Sequence, residues 1–69
     1  MADITKMKKV QVGSSFSYDD KTYNYGFTVV GLADDDERVT IVIDNDYLIY
    51  TIQMDEIKDN YSKKYLRER

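Results

Sequence analysis

Hydrophobic and polar residues alternate with a period of two along two segments in the middle of the chain. Residues 39–43 and residues 48–52 are rich in valine, isoleucine, tyrosine and threonine, the types that favour β-strands. The first segment is followed by Asp44-Asn45-Asp46, residue types that occur in tight turns. The pattern therefore predicts a β-hairpin, and we expect the rest of the fold to be organised around it.

A two-residue turn at Asn45-Asp46 sets the register of this hairpin, because it pairs Ile43 with Leu48. One face then carries only apolar side chains apart from one phenol: Val39, Ile41, Ile43, Leu48, Tyr50 and Ile52. A shift of one residue would exchange the two faces. We expect the apolar face to pack on the core.

The opposite face of the hairpin is also too apolar to contact water without a reason. Val42, Tyr47 and Ile49 lie on it, next to threonines and Asp44. We expect these three side chains to be covered, either by the element that follows the hairpin or by a binding partner. An exposed apolar patch with a polar rim is a typical contact site. The three residues are therefore candidate partner-binding residues.

After the hairpin, the period of the hydrophobic pattern changes from two to about 3.6 residues, which is typical of an amphipathic helix. The apolar stripe comprises Met54, Ile57, Tyr61 and Tyr65, with Leu66 beside it. Acidic residues lie in the first turns and basic residues in the last, an order that favours the helix dipole. The pattern predicts a C-terminal helix over residues 54–67 that packs this stripe onto the domain.

The N-terminal segment has weaker signals. Residues 8–12 alternate enough to predict a short strand with Val10 and Val12 pointing inward. Residues 16–18 predict a second strand or the arm of a loop, and residues 19–21 are a turn by composition. Residues 1–6 have no anchoring feature, and we expect them to fray.

The longest strand is predicted over residues 22–30, where the alternation is regular. Its apolar face carries Tyr23, Tyr25, Phe27 and Val29. We expect the three aromatic residues of this face to lie mostly in the core. Gly26 predicts a bulge or a sharp bend in mid-strand, and Gly31 is expected to end the strand.

These elements predict a single domain, residues 1–69, that is mainly β. We favour a small curled antiparallel sheet, an SH3-like barrel of about five strands, with one C-terminal α-helix. Gly26 and the two apolar faces of the hairpin favour this interpretation, because both suit a sheet that curls. The alternative is an α+β meander sheet with the helix across one face.

The composition excludes several kinds of site. The chain has neither cysteine nor histidine, so it contains no disulfide and cannot build the usual tetrahedral zinc site. The serines at residues 14, 15 and 17 have no neighbouring base to activate them, and the domain is small for enclosing a substrate. We therefore expect no enzyme, no catalytic residue and no cofactor.

The sequence also bears on location and origin. No segment approaches the roughly 20 apolar residues that span a bilayer, and no signal peptide is visible at the N-terminus. We expect a cytoplasmic protein without membrane association. The abundance of tyrosine, lysine, isoleucine, asparagine and aspartate suits an AT-rich bacterial genome or one of its phages.

The net charge of −3 hides an uneven distribution. Residues 19–46 hold eight acidic and two basic residues, whereas the flanking segments are net positive. The spacing of an EF-hand fails, because Leu48 stands where a third oxygen donor is needed. We therefore expect no metal site. One acidic loop instead supplies candidate contacts for a basic partner: Asp34, Asp35, Asp36 and Glu37.

Together these features predict a small, acidic, non-catalytic module that binds another protein. Its size and acidity fit an accessory or inhibitor protein of a bacterial or phage system. The alternative is an SH3-like nucleic-acid-binding domain that uses basic residues of the helix: Lys58, Lys63, Lys64 and Arg67. A third possibility is a homo-oligomer that pairs through the Val42/Ile49 face or an edge strand.

Overall fold

The computed structural model describes residues 7–35 and 37–69. Five strands and one helix follow one another in the order β1 (Ser15–Asp19), β2 (Asn24–Leu32), β3 (Arg38–Ile43), β4 (Ile49–Gln53), α1 (Met54–Ser62) and β5 (Leu66–Glu68). The fraying expected of residues 1–6 falls outside the described residues.

The five strands form one antiparallel sheet with the order β4-β3-β2-β1-β5. The predicted mainly β fold with a single C-terminal helix is therefore confirmed. Within the described part of the chain the sheet is not closed, because β4 and β5 each pair with one strand only. These two strands are the edges of the sheet.

The register of the β3–β4 hairpin is as predicted, but its loop is longer. The Ile43 N–H donates to the Leu48 carbonyl oxygen at 3.0 Å, and Val42 pairs with Ile49. The loop comprises the four residues 44–47, and Tyr47 ends it with a φ of 54°. The longer loop therefore leaves the predicted register unchanged, since Ile43 still faces Leu48.

One face of the sheet, which we call the inner face, packs against the helix and forms the core. The buried residues come from four strands, the helix and the N-terminal segment: Val10, Phe16, Phe27, Val29, Val39, Ile41, Ile57 and Leu66. Phe16 and Phe27 pair across β1 and β2, with ring centroids 5.3 Å apart. The apolar alternation of β2 and β3 therefore faces inward, as predicted.

The strand predicted over residues 8–12 is absent, because the chain turns instead. Val10 is buried, but Val12 is exposed and lies in a turn with Gly13, whose φ is 98°. The Ser14 N–H donates to the Gln11 carbonyl oxygen at 2.9 Å, which closes this turn. Only the inward position of Val10 is confirmed.

Gly26 and Gly31 have roles other than those predicted. The bulge in β2 lies between Val29 and Gly31, so the strand continues through Gly31. Gly26 is instead a point of close approach, because a Cβ there would lie 2.6 Å from Arg69 Nη1 and 2.6 Å from Asp44 Oδ2. Those two side chains form an ion pair across the outer face at 2.6 Å, and a Cβ at residue 26 would displace their flexible ends.

Helix α1 begins at Met54 as predicted but ends at Ser62, not at residue 67. Lys64 has a φ of 66° and donates its N–H to the Tyr61 carbonyl oxygen, while the Tyr65 N–H donates to the Asn60 carbonyl oxygen, both at 3.0 Å. This bonding pattern is a Schellman motif, which stops a helix. The chain then enters β5 and pairs with β1, which the longer helix would have prevented.

The helix joins the two edge strands by crossing the inner side of the sheet. It contacts both β4 and β5, and Ile57 is its buried residue. The expectation that the element after the hairpin covers the side of Val42 and Ile49 is therefore wrong. The outer side of Val42 and Ile49 is left without cover by the helix.

Candidate functional site

An open groove, which we call the tyrosine groove, lies on the inner face where the helix leaves the sheet uncovered. It has a volume of about 550 Å³. Its floor is made by core residues, and its walls come from the β1–β2 connection, the start of β4 and the helix. The residues that line it are Tyr18, Tyr23, Tyr25, Phe27, Ile41, Ile43, Asp46, Tyr50, Ile52, Glu56, Ile57, Asn60 and Leu66.

Four tyrosines make up much of the aromatic surface of this groove. Tyr18 and Tyr25 pair across β1 and β2, with ring centroids 4.9 Å apart. Tyr23 is 65% exposed, so its predicted place in the core is wrong, and Tyr25 is only half-buried. Tyr50 lies on the inner face of an edge strand and is also exposed. Such rings offer flat apolar area together with hydroxyl groups that remain in water.

The electrostatic character of the groove is negative. Its lining includes the carboxylates of Asp46 and Glu56 and, among the described residues, no lysine or arginine. Burial raises the pKa of Tyr25, and the nearby carboxylates of Asp20 and Glu56 raise it further. Aromatic faces and carboxylates both attract cations, so the groove favours a positively charged group.

Asp20 organises the loop that holds Tyr23 at the mouth of the groove. Its Oδ1 accepts the N–H of Thr22 at 2.9 Å and the N–H of Tyr23 at 2.7 Å. The Tyr23 N–H, followed by the Tyr18 hydroxyl and then the Thr22 N–H, lowers the pKa of Asp20, because these donors stabilise the charged carboxylate. The stability that Asp20 contributes is present above about pH 3.8 and is lost as the pH falls through its lower folded-state pKa.

The Tyr18 phenol is expected to titrate last among the tyrosines of the folded protein. Its hydroxyl donates to Asp20 Oδ2 at 2.7 Å, which raises the pKa of Tyr18 to about 12. The stability from this neutral phenol is present below about pH 10 and is lost as the pH rises through about 12. In an absorbance titration of tyrosinate, Tyr18→Phe should remove the latest phase.

Tyr47→Phe is the control for that titration, because the Tyr47 phenol is exposed. The control should leave the latest phase in place, and Asp20→Asn should move that phase to lower pH. A latest phase that persists in Tyr18→Phe would show that the bond to Asp20 does not govern the order of titration.

A second surface, which we call the hairpin patch, comprises Val42, Tyr47 and Ile49. Val42 and Ile49 pair across β3 and β4 on the outer face, and Tyr47 lies in the adjoining loop. Tyr47 is 80% exposed and Ile49 is 69% exposed, whereas Val42 is half-buried. The helix does not cover these residues: Val42 and Ile49 are direct cross-strand neighbours, and Tyr47 is exposed two residues before Ile49 in the chain. Their role in binding stays a prediction.

The acidic loop lies at the other end of β3 and is separate from the hairpin patch. Asp34, Asp35 and Glu37 are exposed, and the Glu37 N–H donates to Asp35 Oδ1 at 3.0 Å. Asp36 lies outside the described residues. Because β3 has six residues, it separates the two sites by about 20 Å. The structure therefore does not combine the loop and the patch into one surface.

The basic residues proposed for nucleic acid do not share one helix face. Lys58 is the only one of them within helix α1, whose other charged residues are acidic. Lys63 lies 2.9 Å from Asp59, which raises the pKa of the lysine. The remaining two, Lys64 and Arg67, follow the helix and line a shallow depression. The expected basic helix is thus replaced by an acidic helix followed by basic residues.

Two further observations concern metals and membranes. Among residues 7–35 and 37–69, no group of three or more acidic residues is arranged to hold a metal ion. No helix in the described part of the chain is long and apolar enough to cross a membrane.

Sequence reasoning missed the tyrosine groove, although one signal pointed to it. The chain has seven tyrosines and two phenylalanines, and tyrosines occupy several inward positions of β1, β2 and β4. A phenol needs a polar partner or water, so a tyrosine-rich inner face indicates a face that is incompletely covered. No protein-family model, curated protein or solved structure matches the chain.

Proposed function

We propose that the protein is a small, non-catalytic, cytoplasmic module that binds another protein. Its size and net charge of −3 fit an accessory or inhibitor protein of a bacterial or phage system. The order of the strands and the pairing of β5 with β1 support an SH3-like sheet, and its exposed side chains are the basis for proposing binding, because a fold alone does not assign a function.

The observation that favours protein binding most is the conformation of Tyr47. This residue is 80% exposed and has a φ of 54°, a region in which a bulky side chain is rarely found. A glycine or an asparagine would suit the loop better. A large aromatic ring that is presented to solvent from such a position, two residues before the exposed Ile49, favours a recognition role.

Tyr47→Gly separates the two roles of this position. We expect the variant to fold at least as stably as the wild type, with a gain of up to about 1 kcal/mol, because glycine relieves the positive φ. We expect partner binding to weaken by roughly 1–3 kcal/mol, because the aromatic anchor is gone. Thermal melts measure the first effect, and affinity capture of the partner from a lysate of the source organism, followed by titration, measures the second.

Val12→Gly is the control, since it removes an exposed apolar side chain from the separate turn at residues 11–14, which lines neither the groove nor the hairpin patch. Equal loss of capture in both variants would indicate a general effect of exposed apolar side chains and not a site at the hairpin. If both variants fold and Tyr47→Gly captures the partner as well as the wild type does, the hairpin patch is not the binding site.

Two other functions compete with this proposal, and each has its own test. Nucleic-acid binding through Lys64, Arg67 and the lysines near the helix requires binding to a random oligonucleotide that weakens steeply with salt. The negative net charge opposes such binding at long range. A homo-oligomer requires a mass above 8.1 kDa for the particle in solution, which light scattering measures.

A further inference from the structure

The two edges of the sheet differ in how they are protected. The edge strand β5 has three residues, of which Arg67 and Glu68 are charged. The edge strand β4 has five residues and contains neither a charge nor a proline. Its exposed side chains include Ile49 and Tyr50. Soluble proteins usually protect an edge with charges, prolines or bulges, so an apolar and regular edge indicates that another strand pairs with it.

The backbone of β4 is available for such pairing. Because the Ile43 N–H donates to the Leu48 carbonyl oxygen, the ladder with β3 uses the main-chain groups of every second residue of β4. The groups of Ile49 and Thr51 therefore point away from β3. Among residues 7–35 and 37–69, these groups have no backbone partner. A strand laid along β4 would find donors and acceptors at the spacing of an antiparallel or parallel ladder.

The side chains beside β4 indicate what the added strand contains. Residues of an added strand point alternately to the two faces of the sheet. Those on the outer face would lie beside Ile49 and the hairpin patch, which favours apolar residues. Those on the inner face would lie beside Tyr50 and above the tyrosine groove. The groove offers Asp46 and Glu56 and, in its described lining, no base, which favours lysine or arginine.

The same charges do not favour pairing between two copies of this chain. The edge strand β4 has the sequence Ile-Tyr-Thr-Ile-Gln, so a second copy of it would place no lysine or arginine above the groove. Charge complementarity therefore selects a basic partner over a second copy.

We propose that the free edge of β4 binds an extended segment of a partner protein as a sixth strand, in which apolar residues alternate with lysine or arginine. This inference rests on the proposed function and deepens it, because it names the binding mode and the chemistry of the partner. Main-chain bonds to Ile49 and Thr51 supply the affinity, and the two faces of β4 supply the selectivity.

The test uses a displayed library of random linear ten-residue peptides, selected on the wild-type protein. The blocking variant is Thr51→Pro, which removes an outward N–H that the ladder with β3 does not use, so the fold tolerates it. The matched control is Thr51→Val, which changes the side chain and keeps the N–H. We expect selected peptides to alternate apolar and basic residues and to bind Thr51→Val like the wild type. Their Kd for Thr51→Pro should rise by about 10-fold or more.

A second measurement is independent of the proline variant and remains decisive if that variant does not fold. Addition of a selected peptide to the wild-type protein should slow amide hydrogen exchange at Ile49 and Thr51, whose N–H groups point outward. Unchanged exchange at both amides would overturn the inference, as would peptides that bind Thr51→Pro and the wild type equally. A library that yields no binder, or yields acidic binders, would overturn it as well.

Failure of this inference and failure of the proposed function give different results. Peptides that bind Thr51→Pro normally but do not bind Tyr47→Gly would support the hairpin patch and exclude strand addition. Peptides whose binding is unaffected by either substitution would exclude both strand addition and binding at the hairpin patch. A wild-type dimer that Thr51→Pro converts to a monomer would show that the sixth strand belongs to a second copy, which contradicts the proposed partner.

Discussion

Replacing Ile57 with alanine is expected to unfold much of the protein at room temperature. Ile57 is 1% exposed and is the buried residue of helix α1. Removing its side chain leaves a cavity beneath the helix and costs about 2–5 kcal/mol. A domain of this size without disulfides has a total stability of only about 3–5 kcal/mol. The loss therefore consumes most or all of the folding free energy.

Urea denaturation followed by circular dichroism measures this effect, and Lys58→Ala is the control. Lys58 neighbours Ile57 on the same helix but is exposed, so its replacement should change the stability by about 0.5 kcal/mol or less. A cooperative transition in Ile57→Ala with an unchanged midpoint would mean that the helix does not contribute to the core.

The hairpin and the start of the helix could be predicted because their signals are local. Alternation fixes which side chains of β3 and β4 share a face, and only one register brings Ile41 opposite Tyr50 on the apolar side. The change of period at Met54 likewise marks the first residue of α1. The loop length could not be obtained in the same way, since Tyr47 gives no sequence signal for a positive φ.

The features that sequence reasoning missed depend on contacts between distant residues. The sequence predicts a bulge at Gly26, but this residue lies close beneath the ion pair between Asp44 and Arg69, which are distant from it in sequence. The helix seemed to continue to residue 67 because Lys64, which adopts the left-handed conformation at its end, is not a residue type that marks a stop. Pairing with β1 decides the conformation of residues 66–68.

The same distinction between local signals and contacts between distant residues applies to the candidate sites. Val42, Tyr47 and Ile49 were identified because their apolar character conflicts with the outer face of a hairpin, which is a local argument. The tyrosine groove depends instead on how far the helix covers the inner face. Tyr23 shows the difference: alternation places it inward, yet it lies before the first residue of β2 and is exposed at the mouth of the groove. Periodicity predicts the face of the sheet to which a side chain points, but it does not predict whether another element covers that side chain.

Substitutions in β5 distinguish the observed structure, in which helix α1 ends at Ser62 and strand β5 follows, from the continuous helix over residues 54–67 that the sequence predicts. Leu66 is 3% exposed and lies in the core opposite Tyr18 of β1, so Leu66→Ala should cost about 2–5 kcal/mol. Tyr65→Ala is the control, because Tyr65 is partly exposed and follows the helix. Its loss should be smaller, since only an edge contact of its ring with Tyr18 is removed.

Arg67→Pro adds a test of the backbone that does not depend on packing. The Asp19 N–H donates to the Tyr65 carbonyl oxygen, and the Arg69 N–H donates to the Ser15 carbonyl oxygen. By the alternation of an antiparallel ladder, the Arg67 N–H therefore points towards Ser17 of β1. Proline removes this donor and leaves an acceptor unpaired, which costs about 1–3 kcal/mol, whereas Arg67→Thr keeps the N–H and should be nearly neutral. Equal urea midpoints for the proline and threonine variants would show that residues 66–68 do not pair with β1.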